Sequence, residues 1–444
     1  MISDRFTLPD GDAIPYRQMF EIVQRYVSAE TPEAVNKPEQ LPGVIERYLI
    51  NRRAETNRPL PAVCADLAED MGGVSAVLAR YLNHLPDYPT LEEINVNGWN
   101  SIVLKYTDRP DEWLEETFLS PRHARSTMEH MISRSRTGVL NENTPGAVSY
   151  IVEGVRNTVL TSPIVPKDAG VYASIRIVRP QSVSGERLLD EGELSPDMLE
   201  LLVLFMLYGA NMVFSGKPRA GKTALLNYLL SIAAKKRDVR IGTIEEGSRE
   251  LTLRRFDAHG RPTNQVLSLL TRPSEKPESN FNPNRLLEYC LRYDLDYLVP
   301  QEMRSEEAYS AQETARTGMA VHTTIHCAHA KAAYPRIVTL CQQRSNELAS
   351  TLLGYAVEAF PVSVHLKYMA DGKRRCMEIL EAEGARGGVV KSHPLFRFAV
   401  KDNVKTETGT RVVGQFEQAG RLSGQLQETL LGNGAALSSL QKFI

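Results

Sequence analysis

The segment Gly216-Lys217-Pro218-Arg219-Ala220-Gly221-Lys222-Thr223 matches the pattern G-x-x-x-x-G-K-[ST] at every fixed position. It follows a short apolar run, 211–215, which is typical of a buried strand. After it, apolar residues recur at helical spacing at Leu225, Leu226, Leu229, Leu230 and Ala233. A strand, a glycine-containing loop and a helix in this order predict a phosphate-binding loop in an α/β protein.

The chemistry of phosphate binding accounts for each fixed residue of this loop. Backbone N–H groups at the start of the helix present a positive dipole to phosphate oxygens. The glycines let the backbone approach closely and adopt positive φ. Lys222 is expected to reach the β- and γ-phosphates, and the Thr223 hydroxyl is expected to ligate Mg²⁺. Residues 216–223 therefore predict a site for a nucleoside triphosphate.

Acidic residues follow two further apolar runs. Residues 240–244 are typical of a strand, and Glu245, Glu246 and Glu250 come after its end. Residues 296–301 are mainly apolar and lead to Glu302, with Pro300 marking where the strand ends. Carboxyl ends of parallel strands lie beside the phosphate loop, so these carboxylates are candidates for binding Mg²⁺ or orienting water. The alternatives are a solvated turn and a surface carboxylate.

A histidine ends a third apolar run. Thr323-Thr324-Ile325-His326 predicts a short strand that delivers His326 to the same edge. His322, His326, Cys327 and His329 also suggest a zinc site as an alternative. Residues i and i+4 of a strand lie roughly 13 Å apart, however, which disfavours shared coordination of one metal.

Composition excludes several classes of protein. The 444 residues contain 52 Lys and Arg against 54 Asp and Glu, a net charge of −2, so bulk charge does not indicate nucleic-acid coating. The five cysteines include no CxxC pair, which disfavours a disulfide framework and favours a reducing compartment. The N-terminal residues do not resemble a signal peptide. The apolar run 201–208 is shorter than the roughly 20 residues that cross a bilayer.

The pattern along the chain predicts an α/β fold class. Alternating helices and strands from residue 197 onward indicate a P-loop NTPase domain with a parallel, twisted sheet. A length of 444 residues suggests about three domains. The predicted parts are an N-terminal helical region over 1–84, a small α+β domain over 85–180, a polar linker over 181–196, the NTPase domain over 197–400 and a tail over 401–444.

Four more segments, in order around the phosphate loop, carry a resemblance to a known family. Residues 93–98, E-I-N-V-N-G, are similar to the motif TEIMVNG, and 243–251 are similar to the aspartate box TIEDxxEL. Residues 291–304 are similar to LRxRPDxIIVGEVR, and 317–326 to the histidine box TGH…STxH. Over roughly residues 85–430, the chain resembles the type II/type IV secretion traffic ATPases. It is closest to the branch of CpaF-like Tad/Flp pilus assembly and VirB-type conjugation ATPases.

This resemblance implies a RecA-like domain that binds ATP and Mg²⁺, and it implies roles for matching residues. Glu302 would be the catalytic glutamate, and His326 would contact the γ-phosphate. Glu245, Glu246 and Glu250 would organise Mg²⁺ and water, with Glu246 joining Thr223 as a metal ligand.

Two arginines resemble those of the family's N-terminal domain that close over the nucleotide. They are Arg176 and Arg179, and a planar guanidinium suits this role because it holds phosphate oxygens bidentately. A solvated strand face is the alternative interpretation.

The resemblance also implies partners and a location. Family members form homohexameric rings at the cytoplasmic face of a membrane, where they act with an inner-membrane platform protein, and direct contact with nucleic acid is not expected. The chain departs from the family pattern at four positions, namely Arg219, Asp294, Gln301 and Met319. These departures put the rate of turnover in question.

Two other functions stay open at this point. One is a nucleotide-binding scaffold with little hydrolysis, which the departures motivate. The other is a RecA-like nucleic-acid motor, which a basic stretch motivates: Arg122, His123, Arg125, His130, Arg134 and Arg136. That stretch lacks the aromatic residues on which single-stranded bases stack, and a solvated or intersubunit face is its alternative interpretation.

Overall fold

A computed structural model describes residues 5–444, except 8–12, 32–33, 35–38, 73–74, 107, 136–139, 153, 178–182, 248, 273, 275 and 407–408. The chain divides into two compact units, Met1–Arg179 and Pro180–Ile444. Within the described ranges, no helix combines the length and the apolar character needed to span a membrane.

The first unit begins with a group of helices and short strands. Its elements are β1 (Arg5–Thr7), β2 (Ala13–Pro15), α1 (Tyr16–Glu30), α2 (Leu41–Asn51), β3 (Glu55–Thr56), α3 (Leu60–Gly72) and α4 (Ala76–Leu82). Strands β1–β3 form a small antiparallel sheet in the order β2-β1-β3. Helices α1, α2 and α3 share one apolar core.

An antiparallel sheet completes the first unit. Its elements are β4 (Leu91–Val96), β5 (Ile102–Tyr106), β6 (Glu112–Trp113), α5 (Pro121–Ser135), β7 (Gly146–Val152), β8 (Val155–Thr161) and β9 (Val171–Ile177). The strand order is β6-β5-β4-β9-β8-β7, and α4 and α5 contribute to its apolar core.

The second unit begins with helices and the strands of a parallel sheet. These elements are α6 (Gly185–Asp190), α7 (Pro196–Leu207), β10 (Met212–Ser215), α8 (Lys222–Lys236), β11 (Arg240–Glu245), β12 (Gln265–Leu270), α9 (Pro283–Cys290), β13 (Tyr297–Pro300), α10 (Glu307–Arg316), β14 (Ala320–Ile325), α11 (Ala333–Cys341) and α12 (Ala349–Ala359). The remaining elements are β15 (Val362–Tyr368), β16 (Arg374–Arg386), β17 (Val389–Thr406), β18 (Gly409–Gln418), α13 (Gly424–Gly432) and α14 (Leu437–Leu440).

One long sheet organises the second unit. Its order is β12-β11-β13-β14-β10-β15-β16-β17-β18, with parallel pairing from β12 to β15 and antiparallel pairing from there to β18. Helices α7 and α8 share an apolar core with one face of the sheet, and α9–α12 share a second core with the other face. Alternate residues of β10 join opposite cores: Phe214 joins the first and Val213 the second. The predicted fold class is confirmed.

Two segments are more regular than their sequence suggests. Residues 185–190 lie in the predicted linker but form α6, because the Ser184 side chain caps the helix by accepting from the backbone N–H of Arg187. The predicted tail contains the end of β17 and the whole of β18, which extend the sheet. Many residues of these strands are exposed and polar, so apolar alternation is weak there.

Candidate functional site

The strand order brings four predicted segments to one edge of the sheet. Strands β11, β13, β14 and β10 are neighbours in that order and run parallel. Glu246 follows β11, Glu302 lies just beyond β13, His326 follows β14 and the phosphate loop follows β10. The loop residues 216–223 and these three side chains therefore share the carboxyl edge of the sheet.

The phosphate loop has the backbone that anion binding requires. Gly216 has φ +146°, and a Cβ there would lie 2.2 Å from the backbone oxygen of Leu366, so this position accepts only glycine without rearrangement. Gly221 caps α8 with φ +95°. The first turn of α8 contains no acidic residue, which leaves its positive pole suited to phosphate.

Lys222 is buried and faces its own loop. Its Nζ donates to the carbonyl oxygens of Gly216 (3.0 Å) and Lys217 (3.2 Å). The same Nζ lies 3.2 Å from Nδ1 of His326. The lysine is thus already placed among the loop carbonyls, within contact of the histidine predicted to share its site.

His326 joins the phosphate loop to Glu302. Its Nε2 lies 3.0 Å from Oε1 of Glu302, and its Nδ1 lies 3.0 Å from the carbonyl oxygen of Gly216. In the tautomer that carries hydrogen on Nε2, Nδ1 can accept a hydrogen bond from Nζ of Lys222. The ring therefore contacts the phosphate loop, Lys222 and Glu302 at once.

Arg304 connects the carboxylates of two neighbouring strand ends. Its Nη2 lies 2.7 Å from Oε2 of Glu302, and its Nη1 lies 3.1 Å from Oε2 of Glu246. Burial acts to raise the pKa of Glu302, but the adjacent His326 ring and the hydrogen bond from Arg304 outweigh it and hold the pKa at about 2. Burial raises the pKa of Glu246, although Arg304 opposes the shift. Glu302 is therefore ionised at neutral pH.

Glu245 is directed away from this group. It is fully buried, and its Oε2 accepts the backbone N–H groups of Glu250 (2.6 Å) and Leu251 (3.0 Å). Burial raises its pKa to about 7, against the effect of these hydrogen bonds. The geometry gives Glu245 a structural contact with the following loop, and its catalytic role stays a prediction. Glu250 is half-buried, and its charge contributes to the raised pKa of Arg304.

The remaining predicted residues lie in different places. Thr223 lies half-buried in the first turn of α8. Arg176 lies on β9 of the first unit, paired in register with Glu93 and Arg156, and Arg179 falls outside the described residues. Their predicted roles remain untested.

Two alternative interpretations of the sequence are a zinc site around His326 and a nucleic-acid-binding surface at the basic stretch. The geometry of the described residues adds no support to either. The described residues contain no cluster of three metal-ligating side chains, and burial lowers the pKa of His322 to about 3. In the basic stretch, His123 is buried and Arg125 pairs with Glu129 at 2.8 Å. The Arg134 side chain and Arg136 fall outside the description.

Arg304 lies in the segment 291–304 that carries the family resemblance, but the sequence predicts no role for it. Its position two residues after Glu302 was the available signal, because a residue just beyond a strand end can fold back on the same edge. The contact between Leu366 and Gly216 left no local signal, since the two residues are 150 positions apart in sequence.

The sequence pattern of the Type II/IV secretion system protein family matches residues 119–359, more than half of the chain. The chain belongs to this family. The match confirms the predicted resemblance at the level of the family. The assignment to the Tad/Flp and VirB-type branch stays a prediction.

One curated relative and several solved structures are similar to this family member. An uncharacterised protein of Methanocaldococcus jannaschii is 27% identical over 182 residues, which are 41% of this chain and 30% of that protein. The chain thus spans about a third of the length of this relative.

Three solved structures show low sequence identity. The ATPase DotB of Legionella pneumophila has 17% identity and a TM-score of 0.48, with 69% of this chain and 80% of that chain covered. The VirB11 ATPase of the Brucella suis type IV secretion system has 19% identity and a TM-score of 0.35, with 68% and 93% covered. The pilus retraction motor PilT has 14% identity and a TM-score of 0.49, with 82% and 87% covered.

Proposed function

We propose that this protein is an ATPase that powers a type II or type IV secretion, Tad/Flp pilus or conjugative transfer apparatus. The observation that carries the proposal is the connected set of Lys222, His326, Glu302 and Arg304 at the mouth of a phosphate loop. Membership of the secretion family supports the same conclusion. A loop built for phosphate and an ionised carboxylate at one sheet edge together suit hydrolysis of a phosphoanhydride.

ATP would enter against the loop N–H groups and the N-terminus of α8. Lys222 now donates to Gly216 and Lys217, and bound phosphate oxygens would replace these carbonyls as its acceptors. Movement of Lys222 towards phosphate would remove it from Nδ1 of His326, which lies 3.2 Å away. His326 would then contact the γ-phosphate. Because the same ring contacts Glu302, the bound phosphate would influence the position of that carboxylate.

Glu302 would act on the attacking water. Its carboxylate is ionised because His326 and Arg304 hold its pKa at about 2. A carboxylate with so low a pKa is a weak base, so its contribution is mainly to accept a hydrogen bond from water and orient it. Arg304 fixes the carboxylate at 2.7 Å and keeps it beside Glu246.

The residues at this edge fit Mg²⁺ as well. The Thr223 hydroxyl and the Glu246 carboxylate are oxygen donors, which this ion prefers, and Glu246 is half-buried beside the catalytic carboxylate. Mg²⁺ held there would supply positive charge that offsets the negative charge of the phosphate oxygens. Arg304 now holds Glu246 and would have to share or release it.

The finer assignments follow from the family resemblance. We infer a homohexameric ring that works with an inner-membrane platform protein at the cytoplasmic face of a membrane. The family match supports a secretion machine as the setting, and the predicted roles of Arg176 and Arg179 in closing over the nucleotide belong to the same proposal.

The test is hydrolysis of ATP with Mg²⁺ by the wild type and by Lys222→Ala, each sized by light scattering. Lys236→Ala, an exposed lysine at the other end of α8, is the matched control. We expect turnover in the wild type and the control, and loss of nucleotide binding and turnover in Lys222→Ala. Binding that depends on Lys222 without any turnover, even with membrane partners added, would replace the motor by a nucleotide-binding scaffold.

A further inference from the structure

The hairpin between β15 and β16 lies against the phosphate loop at three loop positions. The backbone oxygen of Leu366 packs on Gly216, where it would clash with any Cβ. Nε of Arg374 donates to the backbone oxygen of Arg219 at 3.1 Å. Cδ of Arg374 lies 3.1 Å from the position that a Cβ on Gly221 would occupy. The hairpin therefore forms an outer wall of the loop.

Arg219 has a backbone conformation that ordinarily belongs to glycine. Its φ is +67°, and its side chain is exposed. Non-glycine residues stay in this region only where their surroundings hold them. The bond from Arg374 to the Arg219 carbonyl is a contact of this kind, because it fixes the peptide that links Arg219 to Ala220.

The hairpin itself is firmly held. Asp371 in its turn accepts two hydrogen bonds from Arg375, at 2.9 and 2.6 Å. The Arg375 guanidinium lies over the ring of Phe398, 5.0 Å from its centroid. The backbone N–H of Cys376 donates to the oxygen of Glu193 at 2.7 Å. Arg375 is thus committed to the hairpin, whereas its neighbour Arg374 reaches the phosphate loop.

We propose that Arg374 is a positioning residue of the nucleotide site, which holds the Arg219 peptide in its left-handed conformation so that the loop N–H groups converge on phosphate. This inference rests on the proposed nucleotide binding and adds to it a requirement for the β15–β16 hairpin. Arg374 acts through the loop backbone, so its loss should weaken binding and leave the chemical step unchanged.

The first experiment compares binding of mant-ADP by the wild type, Arg374→Ala and Lys373→Ala. Lys373 is an exposed residue of the same turn and is the matched control for loss of one positive charge. We expect Arg374→Ala to raise the Kd about threefold to tenfold, the range of one hydrogen bond. KM for ATP should rise by the same factor, with kcat within twofold of the wild type, and Lys373→Ala should match the wild type.

A double-mutant cycle distinguishes support of the loop from direct contact with nucleotide. Arg219→Gly adopts the same backbone without strain, so Arg374→Ala in that background should change the Kd less than twofold. An undiminished loss in the Arg219→Gly background would overturn the inference, because Arg374 would then act on the nucleotide itself.

Hydrogen exchange tests the same idea without nucleotide. Amide exchange in the peptide covering 216–223 should be faster in Arg374→Ala than in the wild type and Lys373→Ala, with other core peptides unchanged. Unchanged exchange in that peptide would overturn the inference. If the wild type fails to bind mant-ADP, the proposed function fails, and this exchange measurement still decides whether Arg374 holds the loop.

Discussion

Nε2 of His326 lies 3.0 Å from Oε1 of Glu302, and this contact links the ends of the neighbouring strands β14 and β13. The other ring nitrogen lies 3.2 Å from Nζ of Lys222. One imidazole therefore contacts both the lysine predicted to bind phosphate and the candidate catalytic carboxylate. Any movement of Lys222 towards a nucleotide changes the partners of the ring that orients Glu302.

Replacing His326 should impair hydrolysis more than binding. In His326→Ala, Glu302 loses one of the two side chains that hold its carboxylate, so we expect kcat to fall about tenfold to a hundredfold. The Kd for nucleotide should change less than threefold, because the loop N–H groups remain. The exposed His259→Ala is the control. Equal losses in binding and kcat would show that the ring only supports the loop.

Replacing Arg304 should move the pH dependence of turnover. Arg304 helps to hold the pKa of Glu302 at about 2, so in Arg304→Ala that pKa should rise towards or beyond its ordinary value of 4.5. Glu302 becomes protonated as pH falls through its pKa, and turnover is then lost. A higher pKa should therefore shift the acid limb of the kcat profile to higher pH. Arg397→Ala, which removes a surface pair with Glu417, is the control. An unmoved acid limb would contradict the assigned role.

Replacing His322 should flatten the pH dependence of stability. Burial lowers its pKa from 6.5 to about 3, so the unfolded chain binds more protons between these values and stability falls as pH falls. By pH 5 the loss is on the order of 2 kcal/mol. In His322→Asn the amide oxygen can still accept from the N–H of Met212, and this loss should vanish. Denaturant unfolding at pH 7 and pH 5 checks it, and an equal loss in wild type and variant would refute it.

Adding one methyl group to Gly216 should weaken the binding of nucleotide to the phosphate loop. In Gly216→Ala the Cβ would lie 2.2 Å from the Leu366 oxygen at φ +146°, so we expect nucleotide affinity to fall more than tenfold. Gly354→Ala in α12 meets no atom within 4 Å and should raise stability by about 0.5–1 kcal/mol. Calorimetric titration measures the affinity of both variants for ATP, and denaturant unfolding measures the stability of Gly354→Ala. Wild-type affinity in Gly216→Ala would show that the loop tolerates the methyl group.

Sequence predicted the parts of the site that are set by local patterns. The phosphate loop, Glu302 and His326 each stand at the end of an apolar run, and parallel pairing brings such ends together. The partners within the site depend on side-chain direction and distant contacts. Glu245 and Glu246 are adjacent in sequence, yet the first contacts the backbone of Glu250 and the second contacts Arg304.

The same distinction holds for the fold. Helical spacing of apolar residues predicted α8, and apolar runs predicted the strands β10, β11, β13 and β14, whose residues are mostly buried. Residues 401–418 gave little signal because strands β17 and β18 expose many polar side chains while pairing through their backbones. Helix α6 has six residues and depends on one capping serine, so a polar linker was the simpler prediction.

The role of Glu302 is tested most directly by steady-state hydrolysis of ATP by Glu302→Gln beside the wild type, with ATP binding measured for both. Glu358→Gln, an exposed glutamate paired with Arg316, controls for the loss of one carboxylate. We expect Glu302→Gln to bind ATP as tightly as the wild type and to hydrolyse it at least about a hundredfold more slowly. Turnover by Glu302→Gln at the wild-type rate would contradict the central role given to this carboxylate.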